Sequence, residues 1–223
     1  MNVIYGALLT AAGLFQTTVP TTKPPGSPPS ALSTPETVST PTRRPNPIKL
    51  PLQIVTDELV RQSILRGDSS GAITPPAQPI PRWRLFVLMG RALCVTPLTG
   101  VSPQQPWFAS AILALNTYAP VVPPNRVASL PTYISREAAA ITLMQLTTSI
   151  QHLAAFPMQL PSFADELQIA PNAREPAKRA VYLHLMSVGE DNMFNPRRPF
   201  NAEGAYRATY ELVQQRPAGT SCE

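Results

Sequence analysis

Residues 134–153 read Ile-Ser-Arg-Glu-Ala-Ala-Ala-Ile-Thr-Leu-Met-Gln-Leu-Thr-Thr-Ser-Ile-Gln-His-Leu, and this stretch decides the fold class. Ser135 suits a helix N-cap, because its hydroxyl accepts from a backbone N–H of the first turn, and Ile134 stands at the staple position before it. Ala139, Leu143, Leu146, Ile150 and Leu153 recur every three or four residues, so they share one side of a helix. Neither Gly nor Pro interrupts before Pro157. The longest helix is expected here, at the centre of the core, with the other helices gathered around it.

The rest of the chain reads as shorter helices separated by proline. Thr56 is a plausible N-cap for the first, with Asp57 and Glu58 where the helix dipole favours acids and Gly67 as a stop. Pro81 precedes a second helix, Arg82 to Cys94, apolar on most sides apart from its three arginines. Pro106 opens a third, with Phe108, Ile112 and Leu115 on one face and an end before Pro120. After the long helix comes a loop from Pro157 to Pro171 with a short turn around Phe163 to Leu167. Pro176 starts a helix through Ala180, Leu183 and Met186 that ends near Gly189. A last helix, Glu203 to Gln215, carries Tyr206, Tyr210 and Val213 on one side. No alternation is long enough for a sheet, and no segment repeats. The expectation is an all-α fold: a core of about six helices over residues 51–215, a tail at 216–223, and an N-terminal arm at 1–50.

Ten of the 28 prolines fall between Pro20 and Pro51, among Thr and Ser. Such a segment buries too little apolar surface to offset the entropy of ordering, so a flexible, extended arm is expected. Its tip, Val3 to Phe15, is apolar but shorter than the roughly 20 residues a bilayer crossing requires. No Lys or Arg precedes it and Thr17-Thr18-Val19 is a poor cleavage site, which favours a docking segment over a signal peptide. Charged residues make up only 14% of the chain, yet the net charge is +5, and Arg supplies 15 of the 18 basic residues. A planar guanidinium fork suits phosphate, so a polyanion or an acidic membrane face is the implied partner. Cys94 and Cys222 suggest neither a disulfide framework nor a metal site, and a reducing compartment follows. His152 and His184 lie beside apolar residues on helical patterns and read as structural.

No Gly-rich phosphate loop, Cys/His cluster or nucleophile–His–Asp pattern occurs. The acidic pairs Asp165-Glu166 and Glu190-Asp191 lie at loop or helix ends, where solvation accounts for them. Nothing supports an enzyme, a cofactor or a metal.

Four short segments stand in a set order: Tyr118-Ala119-Pro120-Val121-Val122, Pro123-Pro124, Arg136-Glu137-Ala138-Ala139-Ala140 and Asp191-Asn192-Met193-Phe194. With the Thr/Pro arm ahead of them, their order and spacing over residues 50–215 resemble the coat proteins of flexible filamentous plant RNA viruses, the potexvirus type. Two positions depart from that family: Ile112 stands where it carries Arg, and Ile141 where it carries Asp. If the two faced each other as an ion pair in the family, apolar packing can replace both at little cost.

The resemblance implies a structural capsid protein that polymerises helically around single-stranded RNA, in virions and host cytoplasm. It further implies an open homo-oligomeric filament linked through the arm, with no membrane involved. RNA of any sequence is held through phosphates and base stacking. The basic candidates near the central stretch are Arg91, Arg126, Arg136, Lys178 and Arg179, with Tyr118, Tyr133 and Tyr182 as stacking platforms. Surface solvation for the cations and core packing for the tyrosines are the ordinary uses of these residues. Two other classes remain open: a secreted or membrane-attached helical domain with a glycosylated Thr/Pro-rich stalk, and a non-viral RNA-binding chaperone.

Overall fold

The computed structural model describes residues 50–67, 72–130, 133–151, 156, 159–216 and 222. The expectations for residues 1–49, for His152 and for Leu153 lie outside these. Six α-helices are present among the described residues: α1 Leu52–Arg61, α2 Arg82–Ala92, α3 Ala109–Asn116, α4 Arg136–Gln151, α5 Pro171–Tyr182 and α6 Ala202–Gln214. Short 3₁₀ turns occupy Pro124–Arg126 and Glu166–Gln168. No strand occurs among the described residues, only isolated bridges, so the helical reading holds.

α4 starts as expected, with the Ser135 hydroxyl accepting from Ala138 N at 3.3 Å, and Ala139, Leu143 and Leu146 are fully buried. It is not the hub, however. α4 packs on α5, whereas α2 packs on both α3 and α6, and α1 on α6. α2 is buried nearly all round, from Arg84 through Gly90, as a central helix must be. The small side chains of α5 that face inward, Ala173, Ala177 and Ala180, recur at helical spacing and leave room for close packing.

Three helix starts differ from expectation: α3 begins at Ala109 rather than at Pro106, with Phe108 at its N-cap position. α1 begins at Leu52, after Pro51, and Thr56 lies inside it with its hydroxyl donating to the Gln53 carbonyl at 2.9 Å. The earlier start places Val55 and Leu59 on one buried face, and that burial outweighs the capping preference of Thr56. α5 begins at Pro171, so Pro176 is interior and forfeits one backbone hydrogen bond. Glu137 anchors the earlier start by accepting from Ala170 N at 3.2 Å.

Helix ends differ more. The sequence places glycine at two stops, Gly67 and Gly189, but α1, α2 and α5 end instead at Ser63, Cys94 and His184, with φ of 58°, 57° and 59°. In each, the next residue's N–H returns to a carbonyl five residues back: Ile64 to Leu59, Val95 to Gly90, and Leu185 to Ala180, all at 2.9 Å. Ile64, Val95 and Leu185 are themselves buried. The apolar residue after the stop and the satisfied carbonyl offset the left-handed backbone.

Cys94 and Cys222 form a disulfide, which corrects the expectation of two unlinked thiols. The partners lie 128 residues apart in sequence, a separation that no motif could connect. Ile112 is fully buried and Ile141 half-buried; with α3 on α2 and α4 on α5, they belong to different helix pairs. The Asn116 side chain organises the segment after α3, accepting from Val121 N and Val122 N at 3.1 Å each and donating to the Val122 carbonyl at 2.5 Å.

Candidate nucleic-acid interface

Three extended segments meet where α2, α4 and α6 begin. Residues 196–201 run between 78–81 on one side and 133–136 on the other, through bridges Pro79–Asn201 and Ser135–Pro199. Phe200 N donates to the Ile134 carbonyl at 2.8 Å, and Ile80 N to the Phe200 carbonyl at 2.9 Å. Asn201 then caps α6 by accepting from Gly204 N at 3.0 Å. Three helix N-termini, each the positive end of a dipole, are thereby brought to one region.

Beside them, residues 189–195 are held by a buried carboxylate. Asp165 is 3% exposed, and its two oxygens accept from Phe194 N at 2.8 Å and Asn195 N at 2.7 Å. The sequence suggests solvation for this residue, and a backbone clamp is the observed role. Glu166, its neighbour, pairs with Lys178 at 2.7 Å. Phe194 is buried and stacks on Phe163 at 5.3 Å between centroids.

Arg136 joins the two halves. Its Nε donates to the Phe194 carbonyl at 2.7 Å, its Nη2 to the Ser187 carbonyl at 2.5 Å, and its guanidinium lies 4.9 Å from the Phe194 ring centre. The result is a polar cleft of about 370 Å³ lined by Arg136, Ser187, Gly189, Asn195, Arg198 and Asn201, among others. Burial, with Arg198 nearby, pulls the Arg136 guanidinium below its ordinary pKa, while Asp165 acts the other way. An arginine so placed stays charged. The exposed Arg198 makes no side-chain hydrogen bond or ion pair among the described residues. Two guanidinium groups thus face the cleft, and the nearby carboxylate is already occupied by backbone N–H groups. Such an arrangement attracts an anion with several oxygens.

The other basic candidates do not join this cleft. Arg91 turns inward and donates to the Ile64 carbonyl at 3.0 Å. Lys178 is ion-paired to Glu166 and lines a separate depression with Arg174 and Gln159. Arg179 pairs with Glu175 and lies 4.4 Å from the centre of the Phe156 ring. Arg126 is exposed at the end of its 3₁₀ turn. Tyr118, Tyr133 and Tyr182 are 51%, 52% and 46% exposed, which sets them apart from core tyrosines such as Tyr206. Sequence reasoning missed Arg198, Asn195 and Asp165. The adjacent Arg197-Arg198 between prolines was a visible signal for the first, whereas nothing local marks Asp165 as buried.

Among the described residues no group of His, Cys, Asp and Glu is placed to hold a metal, and no helix is long and apolar enough to cross a membrane. Compared with known protein families and with curated proteins, the chain matches none.

Proposed function

We propose that this protein is a capsid subunit that polymerises helically around single-stranded RNA, holding phosphates and bases without regard to sequence. The observation that carries the reading is the Arg136–Arg198 cleft, where two cations face a polar space with no carboxylate bonded to either among the described residues. Two landmarks of the sequence resemblance, Arg136 and Phe194, touch each other at this cleft. A backbone phosphate rests against Arg198 and the outer face of Arg136, with the exposed Arg197, next to Arg198 in sequence, adding attraction along the strand. Tyr133, two residues before the N-cap of α4, offers a stacking face to any base. The arm links one subunit to the next, and because donor and acceptor surfaces differ, the array stays open.

The test replaces Arg197 and Arg198 together with Gln. Both side chains are exposed, so the fold is expected to survive, whereas Arg136→Gln would also remove two bonds that hold the cleft. Affinity for poly-U and for a mixed sequence should fall alike, and the log–log salt slope should become shallower by about 0.7 for every phosphate that is no longer neutralised. Electron micrographs of wild-type protein with RNA should show filaments. Unchanged affinity and slope in the double variant would remove the cleft from RNA binding.

One observation favours a second reading. The Cys94–Cys222 disulfide suits an oxidising environment, as a secreted or membrane-attached domain with a Thr/Pro stalk would meet, although particle surfaces also carry disulfides. Intact mass from the native source separates the two, since secretion requires loss of the first residues.

A further inference from the structure

The cleft carries more than charge. Asn195 and Asn201 line it beside Arg136 and Arg198, and each keeps polar capacity that the chain does not use. The Asn201 side-chain oxygen accepts from Gly204 N, while its Nδ2 bonds nothing among the described residues. Asn195 donates from Nδ2 to the Met193 carbonyl at a long 3.5 Å, and its Oδ1 accepts from none of the described residues.

Asn195 also has an unusual backbone. Its φ is 58°, in the left-handed region, and Pro196 follows, a neighbour that ordinarily leaves the preceding residue extended. Several contacts fix it there. The buried Asp165 carboxylate accepts from its N–H at 2.7 Å, and its own carbonyl accepts from Arg198 N at 3.2 Å, closing a turn. That turn is fastened to the start of α4, where Glu137 N donates to the Pro196 carbonyl at 3.1 Å and Arg136 N to the Arg198 carbonyl at 2.9 Å. Strained residues held by several partners concentrate where a side chain must be presented in one place. The turn also sets Asn195 and Arg198 at its two ends, within roughly 7 Å of each other. One sugar–phosphate unit has a comparable span.

We propose that Asn195 is a specificity-determining residue that reads a ribose 2′-hydroxyl beside the phosphate on Arg198, so that the cleft takes ribose phosphates in preference to deoxyribose phosphates. The inference rests on the reading of the cleft as a phosphate site and adds the sugar. A 2′-hydroxyl is donor and acceptor at once, and it is what tells RNA from DNA at a given position. The free Oδ1 of Asn195 accepts from it, and the free Nδ2 of Asn201 supplies a matching donor across the same cleft. The arginines cannot make this distinction, because the phosphates of the two polymers are the same.

The test titrates full-length protein at low salt with oligo-uridylate and oligo-deoxyuridylate of about ten residues, which differ only in their 2′-hydroxyls. The ribose strand should bind about three- to tenfold tighter, as one hydrogen bond predicts. Asn195→Gly suits the left-handed backbone, so its circular dichroism spectrum should match that of wild type. In that variant the loss should fall on the ribose strand and bring the ratio of affinities to about one. Replacing Arg197 and Arg198 with Gln should instead weaken both strands and keep the ratio. Should Asn195→Gly fail to fold, 2′-O-methyl oligo-uridylate decides with wild-type protein: methylation removes the hydroxyl donor and should lower affinity to that of the deoxyribose strand. Equal affinity of wild type for ribose and deoxyribose strands would overturn the proposal and leave the phosphate site standing; binding of neither would overturn both. A ratio that survives Asn195→Gly would put the sugar contact elsewhere, and the proposal fails. It fails too if the variant changes the preference between oligo-uridylate and oligo-adenylate instead, since the amide would then read a base edge. Uridine 5′-monophosphate displacing the strand at micromolar concentration would keep the sugar contact and identify the occupant as a free nucleotide.

Discussion

Asp165 shows how one side chain can set the geometry of a site. Its carboxylate binds no cation directly; it holds two backbone N–H groups in a buried position. Asp165→Ala orphans both donors and should destabilise the fold by about 2–4 kcal/mol, read from urea unfolding. Asp165→Asn keeps one acceptor and should cost roughly half as much. Equal stability of wild type and Asp165→Ala would show that the clamp holds nothing. Tyr206 makes a comparable contact, its hydroxyl donating to the Thr74 carbonyl at 2.9 Å from a fully buried ring. Burial raises its pKa above the ordinary 10.0, with the Arg84 charge and the Thr74 side chain opposing. The unfolded chain therefore loses this proton first as pH rises, so the stability contribution is complete below 10.0 and declines as pH climbs through the folded value. Tyr206→Phe should cost about 1 kcal/mol at neutral pH, with the gap to wild type narrowing in alkali. A gap that widens there would contradict the sign.

Among the helices, the informative feature is how they stop. Ser63 takes a left-handed backbone at an exposed position, where a side chain costs about 1 kcal/mol relative to glycine. Part of that cost returns as unfolded-state entropy when glycine replaces it, so Ser63→Gly should stabilise the protein by about 0.5 kcal/mol. Thermal unfolding measures it, and a clear loss of stability would mean that the serine side chain contributes what the geometry does not show. These stops were not legible in the sequence because no glycine marks them. Apolar residues such as Ile64 and Leu185 hold the turn by being buried, and burial is decided by the partner helix. The start of α4 was legible, because Ser135 and its first turn are local.

For the molecule as a whole, the Cys94–Cys222 bond ties the residues after α6 to the end of α2, where Arg216 also donates to the Ala92 and Arg91 carbonyls at 2.6 and 3.0 Å. Closing a loop of this length restricts the unfolded chain by up to about 5 kcal/mol in the chain-entropy model. Cys222→Ser, or wild type under reductant, should unfold at lower temperature, and thiol titration of the untreated protein should find no free cysteine. Full titration of two thiols in freshly prepared, unreduced protein would refute the bond. At this scale too, the basic candidates separate. Arg91, Arg136, Lys178 and Arg179 are held by carbonyls, carboxylates or a ring, and Arg126 alone of the five is exposed in the manner of a simple surface cation.

What the sequence determined by itself was local: a helical class, the number of helices, the start of the long helix from its cap and spacing, and the boundary that Pro81 sets before α2. These follow from contacts within a few residues, such as hydroxyl to N–H or one helical turn to the next. Tertiary structure alone decided that α2 rather than α4 is the hub, that Asp165 is a clamp, and that Arg198 faces Arg136. It also decided that two distant cysteines meet. Each depends on residues far apart in the chain coming together, and spacing along a chain carries no record of which buried surfaces will pair.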